Sequence, residues 1–198
     1  MGKLIKWLFN NKCYYMRLNI SKHFWYLYLK PLSLLKGVKT GKNISFYGYT
    51  FFYLDKAATI QIGNNCTIRS SSTSNMIGIN RPCMFSAHNH AILNIGENCG
   101  FSGTVIGAFS SIIIGDNVMC GANTLITDSD WHADDARSGE NKEVIIENNV
   151  WIGEGVKVLK GVRIGTNSLI GSGSIVTKNI PPNVIAAGNP CQVIKKLS

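Results

Sequence analysis

The apolar positions of this chain fall on a beat of six. From Ile146 onward six consecutive hexads run without a gap, and their first positions are Ile146, Ile152, Val158, Ile164, Ile170 and Val176, all β-branched. Their fifth positions are Val150, Val156, Val162, Ser168, Ser174 and Ile180, all small or β-branched. A helix repeats its apolar face about every 3.6 residues and a strand about every 2, so neither produces a strict six. The pattern predicts a prism-shaped coil in which each hexad is a short strand plus a turn and three hexads close one circuit. First and fifth positions then point inward, and Gly and Asn gather at corners that need unusual backbone angles. Stacked circuits bury a continuous aliphatic column, each fully buried Ile or Val contributing about 1.5–3 kcal/mol.

Fainter copies precede this run: Ile62-Gly63-Asn64-Asn65-Cys66, Ile95-Gly96-Glu97-Asn98-Cys99, and Ile114-Gly115-Asp116-Asn117-Val118-Met119, continuing through Cys120-Gly121-Ala122-Asn123-Thr124-Leu125 to Ile126. Cys66, Cys99 and Cys120 occupy inward positions and read as core fillers. The six cysteines form no Cys-x-x-Cys pair, so neither a disulfide nor a zinc framework is expected. Ile126 and Ile146 are 20 residues apart where the repeat requires 18, so a loop is expected at about 127–145. Pro181-Pro182 lack amide donors and are expected to end the coil, leaving residues 183–198 as a tail.

Composition adds one fact of consequence. With 45% hydrophobic and 16% charged residues, a disordered, highly charged chain is excluded. The net charge of +9 would suggest nucleic acid, but it is not spread over the chain. Residues 1–42 hold nine basic residues and no acid, whereas residues 43–198 hold eleven of each sign. The charge thus belongs to an N-terminal arm, 1–42, and no nucleic-acid partner is expected for the neutral remainder, 43–198, of which 43–182 is expected to form the coil. The arm is also aromatic, with Trp7, Phe9, Tyr14, Tyr15, Phe24, Trp25, Tyr26 and Tyr28. Its uncharged run from His23 to Leu29 is far short of the roughly 20 residues that span a bilayer. No apolar signal stretch is evident, so a cytoplasmic location is expected. The arm reads as one or two short helices, suited either to the anionic inner face of the plasma membrane or to packing against the body.

At this point the sequence resembles the hexapeptide-repeat acyltransferases, all-β proteins built as left-handed parallel β-helices. The nearest likeness is to the maltose/galactoside acetyltransferase and polysaccharide O-acetyltransferase branch. Residues 114–195 carry it, notably Asn149-Val150-Trp151-Ile152-Gly153 and Ala187-Gly188-Asn189-Pro190-Cys191. Residues 1–42 do not match that branch's usual N-terminal helical domain. The resemblance implies an acetyl-CoA-dependent O-acetyltransferase acting on a saccharide hydroxyl of a surface polysaccharide, with a lipid-linked acceptor suiting the arm. It implies a homotrimer whose active sites lie between adjacent prisms. An amino-sugar N-acetyltransferase, an enzyme for an antibiotic or free sugar, and a non-catalytic β-helix binding module are the alternatives.

The resemblance also assigns residues. His132, in Thr127-Asp128-Ser129-Asp130-Trp131-His132, stands where similar enzymes carry the general base. The chemistry needs one, because a sugar hydroxyl must lose its proton as it attacks a thioester, and an imidazole ordinarily titrates at about 6.5. Asp130 or Asp128 is a candidate for holding the ring's second nitrogen, as is a backbone carbonyl. Ser102 matches a polar position near the acceptor. The coenzyme positions implied are Trp151, Gly153, Gly171, Ser172, Thr177, Lys178 and Lys195, the two lysines suiting the cofactor's phosphates. His88, His90 and His132 invite comparison with three-histidine zinc carbonic anhydrases of the same fold. Their spacing is unlike that family's, and no metal is expected.

Overall fold

The computed structural model describes residues 2–132 and 134–197, with side chains from Asn11 onward. The arm's Lys3, Lys6, Trp7 and Phe9 side chains lie outside that set. The chain from Lys39 winds as a left-handed coil with three flat faces, and every inter-rung pairing within a face is parallel until the final strand. Face A stacks Lys39–Thr40, Thr59–Ile62, Ile92–Ile95, Ser111–Ile114, Val144–Ile146 and Arg163–Ile164. Face B stacks Ser45–Tyr47, Thr67–Arg69, Gly100–Ser102, Met119–Cys120, Trp151–Ile152, Leu169–Ile170 and Val184–Ala187, edged by Gln192–Lys196. Face C stacks Phe51–Leu54, Met84–Ala87, Val105–Ala108, Leu125–Thr127, Lys157–Val158 and Ile175–Val176.

The hexads explain the core. All twelve inward positions of the six regular hexads are at most 4% exposed. Register stacks like on like: Ile68, Phe101, Cys120, Ile152, Ile170 and Ala186 form one inward column of face B. The two inward serines satisfy their hydroxyls locally, Ser168 donating to Pro181 O and Ser174 to Gly171 O.

The corner between faces A and B is an asparagine ladder. Asn43, Asn65, Asn98, Asn117, Asn149, Asn167 and Asn183 all have φ between 56° and 60°. Asn tolerates this left-handed conformation better than other side chains. Each amide can also hydrogen-bond to the rung below, as Asn117 donates to Asn149 at 2.9 Å and Asn149 to Asn167 at 3.0 Å.

The N-terminal helix, α1 (Gly2–Leu35), is one continuous element of 34 residues, where sequence suggested one or two short helices. Trp25, Tyr26 and Leu32 pack on the first rung, and Leu29 is fully buried there. Gly37, at φ 82°, ends the helix: its N–H bonds Leu34 O and the Val38 N–H bonds Ser33 O, the double closure that left-handed glycine permits.

The coil's limits differ from those expected. It begins at Lys39 and not at 43, because Lys39 and Thr40 already pair with Gln61 and Ile62. It also continues past Pro181-Pro182. Those prolines lie on the last rung of face A, where no further strand needs their missing donors. Val184–Ala187 then adds one more parallel rung to face B before Gln192–Lys196 turns back antiparallel.

Two segments leave the coil. Residues 128–132 and 134–143 loop out between faces C and A. Residues 70–83 loop out between faces B and C. The signal for the second was present: Ile62 and Ile95 are 33 residues apart where one circuit takes 18.

Candidate active site

The loop 128–143 owes its shape to the residues just before His132. Asp128 is fully buried, and its carboxylate accepts the backbone N–H groups of Phe109 and Ser110 at 2.7 and 2.8 Å. It caps the corner of the rung above, and burial pushes its pKa above the ordinary aspartate range against those two donors. Trp131 then turns the chain: at φ 70° it is the one residue other than Asn or Gly with positive φ among the described residues. Such strain, of order 1–3 kcal/mol, persists only where surrounding contacts hold it.

Those contacts are visible. The Trp131 indole donates to Thr127 Oγ1 at 3.0 Å and the backbone N–H to Ser129 Oγ at 3.0 Å. Its ring meets Phe109 edge-on at 4.9 Å and His88 at 5.8 Å. It also covers Gly107, where a Cβ would stand 2.2 Å from Cζ2. With the indole folded back on the coil, the next residue, His132, projects into solvent.

His132 is exposed, and no hydrogen bond reaches its ring among the described residues. Its carbonyl accepts from the Asp135 N–H at 3.1 Å and from Ser138 Oγ. The expected carboxylate partner is not beside it. Asp130 instead pairs with Lys160 at 2.5 Å and accepts the Gly139 N–H at 3.1 Å, holding the loop to the coil. The Lys160 ammonium and that backbone donor hold the Asp130 carboxyl below its usual range. Asp128 is equally committed to backbone. Within one chain neither aspartate orients His132.

The other assigned residues form a second group, on face B. Its outward positions make two lanes. One runs Thr67, Gly100, Met119, Trp151, Leu169 and Ile185; the other runs Arg69, Ser102, Gly121, Gly153, Gly171 and Ala187. The glycines have a structural reason, since a Cβ on Gly153 would lie 2.6 Å from Ser172 N on the next rung. Their consequence is a lane without side chains beside the 60%-exposed Trp151, in which Gly121 and Gly171 are half-buried and Gly153 is buried. Four rungs of about 4.8 Å from Ser102 to Ala187 make it roughly 19 Å long.

At the head of the strip is a cleft of about 440 Å³ lined by Arg69, Asn75, Ser102, Met119, Trp151 and neighbours, with no acidic side chain. Ser102 Oγ accepts from Asn75 Nδ2 at 3.0 Å. The Arg69 guanidinium stacks 4.6 Å over the Tyr47 ring and donates to Ser74 O at 2.5 Å. Ser172 lies exposed at the corner of faces B and C, and Lys195 on the antiparallel edge strand opposite Ile185. Sequence reasoning missed Arg69 and Asn75, because the loop 70–83 that carries Asn75 lies outside the repeat.

Thr177 and Lys178 are exposed beyond Val176, on the C–A edge that also bears the loop of His132. The assigned residues therefore fall in two groups on one prism. Ser102, Trp151, Gly153, Gly171, Ser172 and Lys195 belong to face B, whereas His132, Thr177 and Lys178 belong to the opposite edge. His88 stacks on Phe109 at 4.2 Å beneath Trp131, and among the described residues no three His, Cys, Asp or Glu side chains could together hold a metal ion.

A β-helix of hexads with a histidine-bearing loop and a glycine strip defines a class. This chain belongs to the hexapeptide-repeat transferase family, and residues 143–178 match the family model described as bacterial transferase hexapeptide (six repeats). It is 42% identical over 143 residues to the galactoside O-acetyltransferase of Lactococcus lactis, a match covering 70% of this chain and 63% of the relative. It is 31% identical to a galactoside acetyltransferase solved in complex with coenzyme A, covering 84% of this chain and 69% of that one at a TM-score of 0.53. The same fold recurs at a TM-score of 0.67 and 19% identity in AntD, an N-acyltransferase from Bacillus cereus, over 86% of this chain and 89% of that one. The chain thus spans less than two thirds of the curated galactoside O-acetyltransferase it matches.

Proposed function

We propose that this protein transfers the acetyl group of acetyl-CoA directly to a saccharide hydroxyl, in the biosynthesis of a surface polysaccharide. The observation that carries this reading is the face B strip, where Gly121, Gly153 and Gly171 set no side chain beside Trp151 in a lane that leads to Ser102. A strip of roughly 19 Å accommodates an extended pantetheine arm, with its thioester at the Ser102 end. Lys195 lies near the far end, and Lys178 on the opposite edge; both suit the phosphates of the donor. The relative named as a galactoside O-acetyltransferase, and the galactoside acetyltransferase solved with coenzyme A, support the donor and the acceptor class.

The placing of these two groups favours a homotrimer. His132 on the C–A edge of one prism serves the face B cleft of the next, where Arg69, Asn75 and Ser102 hold the sugar. The imidazole takes the hydroxyl proton as the oxygen attacks the thioester carbonyl. Backbone N–H groups stabilise the tetrahedral oxyanion, and its collapse expels the coenzyme thiolate, which recovers the proton from His132. No covalent acyl-enzyme is needed. The protein is placed in the cytoplasm, with the basic arm 1–42 at the inner face of the plasma membrane.

The test is a panel of galactosides, other neutral sugars, amino sugars and lipid-linked saccharides, with mass detection of acetylated product. His132→Ala should lower turnover at least a hundredfold with acetyl-CoA binding retained. Turnover near wild type in that variant would remove His132 from the mechanism. Exclusive acetylation of an amine would replace the O-acetylation reading, and no product or acetyl-CoA binding at all would leave a binding module.

A further inference from the structure

α1 carries two apolar faces, and the fold uses one. Trp25, Leu29 and Leu32 pack on the first rung. On the other side Met16, Ile20, Phe24, Leu27, Pro31 and Leu34 follow at intervals of four, four, three, four and three, which keeps them on one face. Of these, Met16, Ile20, Phe24, Leu27 and Leu34 are 56%, 62%, 60%, 73% and 57% exposed. That is an unbroken apolar stripe that the coil does not cover.

Charge decides what covers it. Residues 1–42 hold nine bases and no acid, and none of the three ion pairs among the described residues involves them. Two of the bases are spent on the fold: Lys30 Nζ donates to Thr40 O and Gly41 O, and Lys36 Nζ to Phe52 O. Lys12 and Arg17 stay exposed near the N-terminal end of the stripe. A second copy docking by this face would bring two arms of the same sign together. An anionic surface meets both the stripe and the bases.

We infer that α1 lies flat on an anionic membrane, its stripe Met16 to Leu34 in the headgroup region and Lys12 and Arg17 among lipid phosphates. This deepens the membrane placement of the arm proposed above and does not depend on the acyl-transfer chemistry. No helix among the described residues is long and apolar enough to cross the bilayer, so α1 is an in-plane element. At about 1.5 Å per residue its length is roughly 51 Å. The orientation also bears on the acceptor. The loop 70–83 faces α1 across a cavity of about 380 Å³ lined by Ser71, Ser74 and Met76, and reaches Ser102 through Asn75. An acceptor anchored in the same membrane would be held near the protein, as a lipid-linked saccharide requires.

The test is flotation of the full-length protein with vesicles of phosphatidylcholine alone and of phosphatidylcholine mixed with phosphatidylglycerol. The protein should float with the mixed vesicles only and detach as salt is raised. Lys12→Gln and Arg17→Gln should each weaken partitioning about fivefold. Phe24→Asp with Leu27→Asp should abolish it while circular dichroism of the coil is kept, since both side chains are exposed. Equal flotation on both vesicle types, or full binding by the Phe24/Leu27 variant, overturns the inference. So does a fall in particle mass by light scattering in that variant, which would assign the stripe to a contact between subunits. Acetyl-CoA binding without vesicles separates the two readings. If it persists while flotation fails, only the membrane inference is lost; the reverse result sinks only the transferase reading.

Discussion

Gly107→Ala tests whether the fold aims His132 through Trp131. Gly107 is buried on face C, and its φ is not positive, so an alanine suits its backbone. The new Cβ would nevertheless lie 2.2 Å from Trp131 Cζ2 and 2.8 Å from Cη2, a clash that the rigid indole can relieve only by leaving. Departure forfeits the bond to Thr127 Oγ1 and the edge contacts to Phe109 and His88. A neutral hydrogen bond is worth about 1 kcal/mol net and each aromatic pair about 0.5–1.5 kcal/mol. Together they are of order 2–4 kcal/mol, enough to release the strained φ of 70° at Trp131. In a solenoid that loss stays local, so the loop should undock while the coil survives. Hydrogen exchange across residues 128–143 should accelerate, with faces A to C unchanged. If His132 is the base, kcat should fall about a hundredfold, as expected when a reacting group moves by about 1 Å, with KM for acetyl-CoA preserved. Wild-type exchange in the loop together with wild-type kcat would refute the anchoring role of Trp131.

Other consequences are smaller in scope. Asn149→Ala should destabilise the coil by about 1–2 kcal/mol, through left-handed strain and two lost ladder bonds, and Asn149→Gly by less; thermal unfolding of the pair checks the order. Asp130→Asn or Lys160→Met should each speed tryptic cleavage at Arg137, and the double variant should add little beyond either. Because Asp130 has a lowered pKa, its latch is complete above the ordinary aspartate range, about 4, and is lost as pH falls through the depressed value. The wild-type advantage over Asp130→Asn in loop protection, measured by exchange corrected for pH, should therefore shrink only on acidification below about pH 4. Of the six thiols Cys13 alone is not buried, and burial pushes Cys83 up to about 11, so native thiol titration at neutral pH should report one fast group.

The parts of the molecule that were readable in advance are those where one short rule repeats. Ile152 and Val156 could be placed inside, and Asn149 near a corner, because the same demand recurs at each hexad. The arm resisted for an equally physical reason: with Leu29 and Trp25 on one side and Ile20 and Phe24 on the other, no single apolar face stands out. Asp130 misled because a carboxylate two residues from a histidine suggests a pair, whereas Lys160, thirty residues on, claims it.

The sequence alone determined a three-faced coil, its inward residues, the place of one loop, and an arm that carries the whole net charge. Periodicity suffices for these, since each inward position answers to its own neighbours one circuit away. Only the tertiary structure decided that Ser102 and His132 stand on different sides of one prism. Only there does Asn75 reach Ser102, or the stripe from Met16 to Leu34 remain uncovered. Those outcomes depend on where two loops and a helix come to rest, which long-range packing sets and no six-residue pattern encodes.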